Sequence, residues 1–176
     1  MPIDTKRILS RRLGELLRQK GPDRITVTEL VESCGLSRQA FYYHFQDIVE
    51  ALEWGCEEKV KKIVRASVKA ETIEEALAVY IRFFSEDRAE ISGLLNSRLH
   101  DGALEMLTES IRSWLEALLL RERGAETADE RTDFALDLYA GGMCLILLRK
   151  AGRSEEGDAR LVTCLSEAIR GELKLF

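Results

Sequence analysis

The 176 residues are 45% hydrophobic and 32% charged, with 26 Lys and Arg against 31 Asp and Glu for a net charge of -5. That composition is too apolar for a disordered chain and sufficient for a core in one or two domains. No apolar run approaches the roughly 20 residues of a membrane span, and the start MPIDTKRILSRRLG lacks a signal-peptide core, so a cytoplasmic protein with no membrane partner is expected. The charge is unevenly spread. Residues 1–46 hold 8 Lys and Arg against 5 Asp and Glu, a net of +3, and the rest hold 18 against 26, a net of -8. Two prolines and no alternating valine-rich runs favour an all-α chain.

The first predicted helix carries Lys6, Arg7, Arg11, Arg12, Arg18 and Lys20. A basic start on an acidic body suits local phosphate binding. Residues 25–45, ITVTELVESCGLSRQAFYYHF, follow. Thr26 and Glu29 give a T-x-x-E capping box, and Leu30, Val31 and Cys34 supply a small apolar face. Gly35 can take the left-handed conformation that stops a helix, and Ser37 can N-cap the next one. Phe41 and Phe45, four apart, face one way into a core. Arg38, Gln39, Ala40, Tyr42, Tyr43 and His44 are left to cover a helix of about two turns. Gln39 can pair with adenine, Arg38 with guanine or phosphate, and Ala40 can approach a thymine methyl. Tyrosine hydroxyls bond phosphates and so set register rather than sequence. The pattern is that of a helix-turn-helix on double-stranded DNA.

The run T-V-x-x-L-V-x-x-x-G-L-S-R-x-x-F-Y-Y-H-F resembles the DNA-binding head of TetR/AcrR-family transcriptional regulators, over about Ile8 to Leu52. The longer run CGLSRQAFYYHFQDIVEALEW is similar to the branch that includes dihydroxyacetone-kinase-operon regulators. The resemblance implies that Gln39, Ala40, Tyr43 and His44 face bases, that Tyr42 binds phosphate, and that Thr28 also faces DNA. One departure stands out. Where the family usually has a phosphate-binding lysine, three residues after the Y-x-H-F phenylalanine, this chain has Ile48, preceded by Gln46 and Asp47. That backbone contact does not carry over. The implied organisation is a three-helix DNA-binding head at 1–46 joined to a helical regulatory and dimerisation body at 47–176.

Beyond the head, residues 47–66 read as a connector helix with Ile48, Leu52, Val60 and Ile63 on one side. Thr72 opens a helix with Ile73, Leu77, Tyr80, Ile81 and Phe84 in register. A shorter helix at 88–97 ends before Asp101-Gly102, and residues 103–122 carry Leu104, Leu107, Ile111, Trp114, Leu115 and Leu118. RERGAETADE reads as a linker. Residues 128–150 are apolar nearly all round from Leu138 to Leu148, which predicts burial on most sides, and Gly141-Gly142 predicts close approach of another backbone. Residues 158–173 place Leu161, Cys164, Leu165, Ala168, Ile169 and Leu173 on a stripe. These last two helices predict a homodimer through a four-helix interface, as the resemblance also implies.

Trp54, Tyr80, Phe84, Met106, Trp114, Tyr139 and Met143 are candidates to line a cavity for a small-molecule effector of unknown identity, such as the resemblance implies. Cys34, Cys56, Cys144 and Cys164 form no C-x-x-C pair and read as small buried hydrophobes, with no metal site and no cofactor implied. No nucleophile elbow, P-loop, dinucleotide glycine pattern or H-E-x-x-H is present, so an enzyme is not expected. The alternative to small-molecule control is a DNA-binding module gated by a partner protein.

Overall fold

Each short polar residue ahead of an apolar run turns out to close a helix start. In the computed structural model, which describes residues 4–123 and 129–171, Asp4 accepts from the Arg7 amide at 3.2 Å. Thr26 accepts from Glu29 at 3.3 Å, Ser37 from Ala40 at 3.1 Å, and Asp47 from Glu50 at 2.9 Å. Thr72, Asp129 and Ser154 cap later helices in the same way. Each side chain satisfies one amide that the first turn leaves without a partner.

The resulting helices are α1 (Thr5–Lys20), α2 (Val27–Ser33), α3 (Arg38–Tyr42), α4 (Ile48–Lys69), α5 (Ile73–Glu86), α6 (Arg88–Leu95), α7 (His100–Arg123), α8 (Glu130–Lys150) and α9 (Glu155–Arg170), with a 3-10 turn at Pro22–Arg24. The described residues contain no strand, and none of their helices is long and apolar enough to cross a membrane. The expected all-α class holds.

The chain divides into two compact units. One takes the chain up to Lys59 together with Ala89–Ala103, and the other takes Val60–Arg88 and the chain from Leu104. This packing division does not coincide with a boundary after residue 46, because α4 begins as part of the head's own core. Ala51 and Leu52 are buried there with Leu9, Leu13, Leu16, Leu17, Leu30, Val31, Phe41, Phe45 and Leu94.

The second unit is centred on Tyr80, Trp114, Leu77, Ile111 and Leu147, all nearly inaccessible. The Tyr80 and Trp114 rings stand 5.6 Å apart, and the Tyr80 hydroxyl donates to the Ser110 carbonyl at 2.7 Å. That burial pushes the phenol well above its ordinary pKa. Arg112 ties α7 to α8 through Asp137 at 2.8 Å and through Asp133. Arg170 on α9 pairs with Glu74 on α5 at 2.6 Å.

Three expectations need correction. Asp101-Gly102 does not break the chain between helices, because α7 starts at His100 and takes both residues into its first turn. The last helix runs Glu155–Arg170, earlier than 158–173, because Ser154 caps it and Gly171 ends it at φ 72°. Leu173 and residues 124–128 of the expected linker lie outside the described residues. Helix α8 is not buried on most sides. Leu136, Ala140, Met143, Cys144 and Leu147 face inward, while Phe134, Leu138 and Leu145 are 70%, 64% and 49% exposed. A Cβ on Gly141 or Gly142 would meet no atom within 4 Å, so the expected close approach is not made within the described chain.

Candidate nucleic-acid interface

Residues 26–45 build a helix-turn-helix from local rules. The Thr26 hydroxyl closes α2, but the reciprocal half of the capping box is not formed, because the Glu29 carboxylate pairs with Lys20. Gly35 stands at φ +65°, a backbone state that side chains with a Cβ rarely adopt, and its amide donates to Glu32 at 3.1 Å. The chain then reverses, and the Leu36 amide donates to the Val31 carbonyl at 2.9 Å. Ser37 opens α3.

Two aromatics fix the depth of α3. Phe41 is fully buried and Phe45 nearly so, with ring centroids 5.7 Å apart. The opposite surface is left in water. Tyr43 is 83% and Tyr42 57% exposed, Gln39 and Arg38 are exposed, and Ala40, His44 and Thr28 are half-buried. Arg38 reaches back from α3 to hydrogen-bond the Thr28 hydroxyl on α2, which joins two of the predicted residues directly. The Tyr43 and His44 rings meet edge-on at 4.9 Å. The helix is shorter than the two turns expected: α3 ends at Tyr42, Tyr43 caps it, and His44 lies in the turn beyond. All seven predicted residues still fall on this one segment and the adjoining start of α2.

The basic character of α1 is more committed than its composition suggests. Lys6 lies 5.0 Å over the Phe45 ring and 5.2 Å over Trp54. Arg7 pairs with Asp4, Arg12 with Glu15, Arg18 with Glu90 and Lys20 with Glu29. Of those six cations Arg11 alone, among the described residues, makes no such pairing, and it is exposed. Ile48 is half-buried against the head core, and the Glu50 carboxylate folds back on the Gln46 amide. The start of α4 thus holds two carboxylates, Asp47 and Glu50, each accepting from a backbone amide.

The seven candidate effector residues do not come together. Trp54 belongs to the head unit, 5.9 Å from the Phe45 ring. Tyr80, Phe84, Trp114 and Met143 are packed core. Met106 borders a groove of about 360 Å³ with Val60, Val64 and Ser110. Tyr139 borders a larger cavity of about 890 Å³, floored by Leu115, Leu118, Leu136 and Ile169, with Arg121 and Arg131 among its polar lining. Apart from Tyr139 the sequence does not point to that lining: Leu115 and Leu118 read as an ordinary apolar stripe, and no local signal joins residues from four helices into one cavity. The described residues hold no group of three metal-ligating side chains. Cys144 is buried, and burial raises its thiol pKa, which is the wrong setting for a reactive thiolate. Cys164 is exposed, against expectation.

Residues 14–51 match the family described as bacterial regulatory proteins, tetR family. No curated protein matches the chain. Solved structures do. The dihydroxyacetone kinase operon activator DhaS is similar over 99% of this chain and 98% of its own, at 17% identity and a TM-score of 0.76. A transcriptional regulator of the TerR/AcrR family from Aquifex aeolicus covers 96% of this chain and 99% of its own, at 18% identity and a TM-score of 0.63. A SmeT–triclosan complex covers 93% of this chain and 90% of its own, at 19% identity and a TM-score of 0.59. At these identities the likeness is one of fold, and it extends over nearly the whole chain.

Proposed function

Through its head this chain belongs to the TetR family of DNA-binding transcriptional regulators, and from that premise we propose that it acts as a homodimer on a specific operator under the control of a small molecule. The observation that carries the reading is the exposed face of α3 and the start of α2, where seven side chains suited to bases and phosphates stand over two buried phenylalanines. Gln39, Ala40, Tyr43 and His44 read base edges. Arg38, steadied by Thr28, reads guanine or holds phosphate, and Tyr42 fixes the head on the backbone. The domain that does this is residues 1–46. The remainder serves regulation and dimerisation, and the protein works in the cytoplasm, where its DNA lies.

Pairing uses α8 and α9. Phe134, Leu138 and Leu145 form an apolar stripe on the outer side of α8, and the open space beside Gly141 and Gly142 admits a second backbone. The cavity of about 890 Å³ in the body unit supports small-molecule control, and a protein of the same fold is known with triclosan bound. An effector acts only as far as it binds the DNA-free state more tightly than the DNA-bound one.

Selection of bound duplexes from a random pool tests the reading. A shared two-fold motif, held less tightly as salt is added, is the expected result. Failure to enrich any sequence overturns it.

A further inference from the structure

Glu90 takes no part in the interface described above, yet it lies 5% exposed within the head unit. It stands near the start of α6. Its carboxylate accepts from the Lys59 ammonium at 2.7 Å on each oxygen and from the Arg18 guanidinium at 3.0 Å. Three helices far apart in sequence therefore meet at one group: α1 through Arg18, α4 through Lys59 and α6 through Glu90.

The carboxylate lies against α1. A Cβ on Gly14, one turn before Arg18, would stand 3.7 Å from both Glu90 oxygens, an ordinary contact distance, so the carboxylate packs on this turn of the helix without requiring the glycine. Further along α6, a Cβ on Gly93 would stand 3.9 Å from Leu17, and Leu94 joins the head core.

The exposures are unequal, and the inequality is informative. The Arg18 and Lys59 side chains are 43% and 35% exposed, whereas the Glu90 side chain is 7% exposed. The cations keep access to water. The carboxylate does not, so it is stable only while both cations stay in place. Charge-assisted hydrogen bonds also tolerate little displacement, unlike an apolar contact that can slide.

We propose that Glu90 is a positioning residue for operator binding. By holding Arg18 and Lys59 together it fixes α1 against α4, and α1 supplies the leucines that pack with α2 and Phe41 beneath the DNA-facing surface. This inference rests on the DNA-binding reading and adds a residue that touches no DNA.

The test uses Glu90→Leu, Lys59→Met, Arg18→Met and the pair Glu90→Leu/Lys59→Met in the full chain. Glu90→Leu keeps apolar bulk and strands no buried charge, so it folds with a melting temperature close to that of the parent. Its operator affinity is expected to fall roughly tenfold, within the usual range of coupling between sites. Binding to an unrelated duplex does not fall with it, because the change removes no cation and frees Arg18 and Lys59 from their carboxylate. The pair is expected to lose no more than Glu90→Leu alone, since both changes break one device. Operator affinity equal to that of the parent in a folded Glu90→Leu overturns the proposal, as do fully additive losses. Should Glu90→Leu fail to fold, undiminished operator binding by both Lys59→Met and Arg18→Met overturns it, and a loss in either supports it. A parent protein that holds no duplex overturns the DNA-binding reading and this proposal with it. A parent that binds while the variants are unaffected overturns this proposal alone.

Discussion

Tyr42 and Gln39 sit three residues apart on one short helix and are expected to fail in different ways. Tyr42→Phe removes a hydroxyl proposed to hold phosphate, so binding weakens to a similar degree on every duplex; competition assays with operator and scrambled DNA check this. Gln39→Ala removes a base contact, so discrimination falls at one base pair by about 1–3 kcal/mol, measured by single-base operator variants. Two body residues carry predictions about stability. Tyr80→Phe leaves the buried Ser110 carbonyl without its hydroxyl donor at 2.7 Å and is expected to cost about 1 kcal/mol in urea unfolding. Glu74 is held down to about 2 by the hydrogen bond from Arg170, against an ordinary value of 4.5. A depressed folded value means that the ion pair's contribution is complete above pH 4.5 and is lost as the pH falls toward 2. Glu74→Gln should therefore be less stable than the parent at neutral pH, by a small amount for so exposed a pair, and the two stability curves should converge as the pH falls toward 2. Glu90 shows what residue-level reading misses. Its partners lie 72 and 31 positions away, and no spacing rule links them.

At the scale of elements, legibility followed range. The Gly35 turn, the Ser37 cap and the buried Phe41 and Phe45 were readable because each depends on neighbours within about one helical turn. Helix limits were less readable. Asp101-Gly102 lies between two expected helices but is taken into the first turn of α7, where both residues are exposed and the aspartate suits the positive end of the helix. Helix α8 misled for another reason: a sequence apolar on two sides does not say whether the second side is covered by the same chain or by another. Gly142→Leu separates these cases. The substituted Cβ meets nothing within 4 Å in the described chain, so helix content should be retained. At a subunit interface the same side chain intrudes on the partner, and sedimentation is expected to show a shift from dimer to monomer. An unaltered dimer would place the contact elsewhere.

For the molecule as a whole, the acidic balance of -5 and the basic +3 of residues 1–46 are compatible because salt confines electrostatic attraction to about 10 Å or less at physiological strength. Most cations of α1 already serve Asp4, Glu15, Glu29 or Glu90, so the affinity for random DNA should be modest and its salt dependence shallow. Two heads on a dimer would meet half-sites roughly 34–36 Å apart in the one-turn arrangement; footprinting with half-sites moved by five base pairs should abolish binding. A site for the proposed effector is the least legible part of the sequence: being large and apolar is a property that core and cavity share, and Tyr80, Phe84, Trp114 and Met143 pack in the core.

The uncovered side of α8 also bears on the life of the newly made chain. Under the proposed pairing, a subunit that has yet to meet its partner carries Phe134 and Leu138 into water, which would invite capture by chaperones and proteases until it is paired. Slow synthesis would then yield less than proportional regulator, and the cell's stock would rise steeply once translation outruns that clearance.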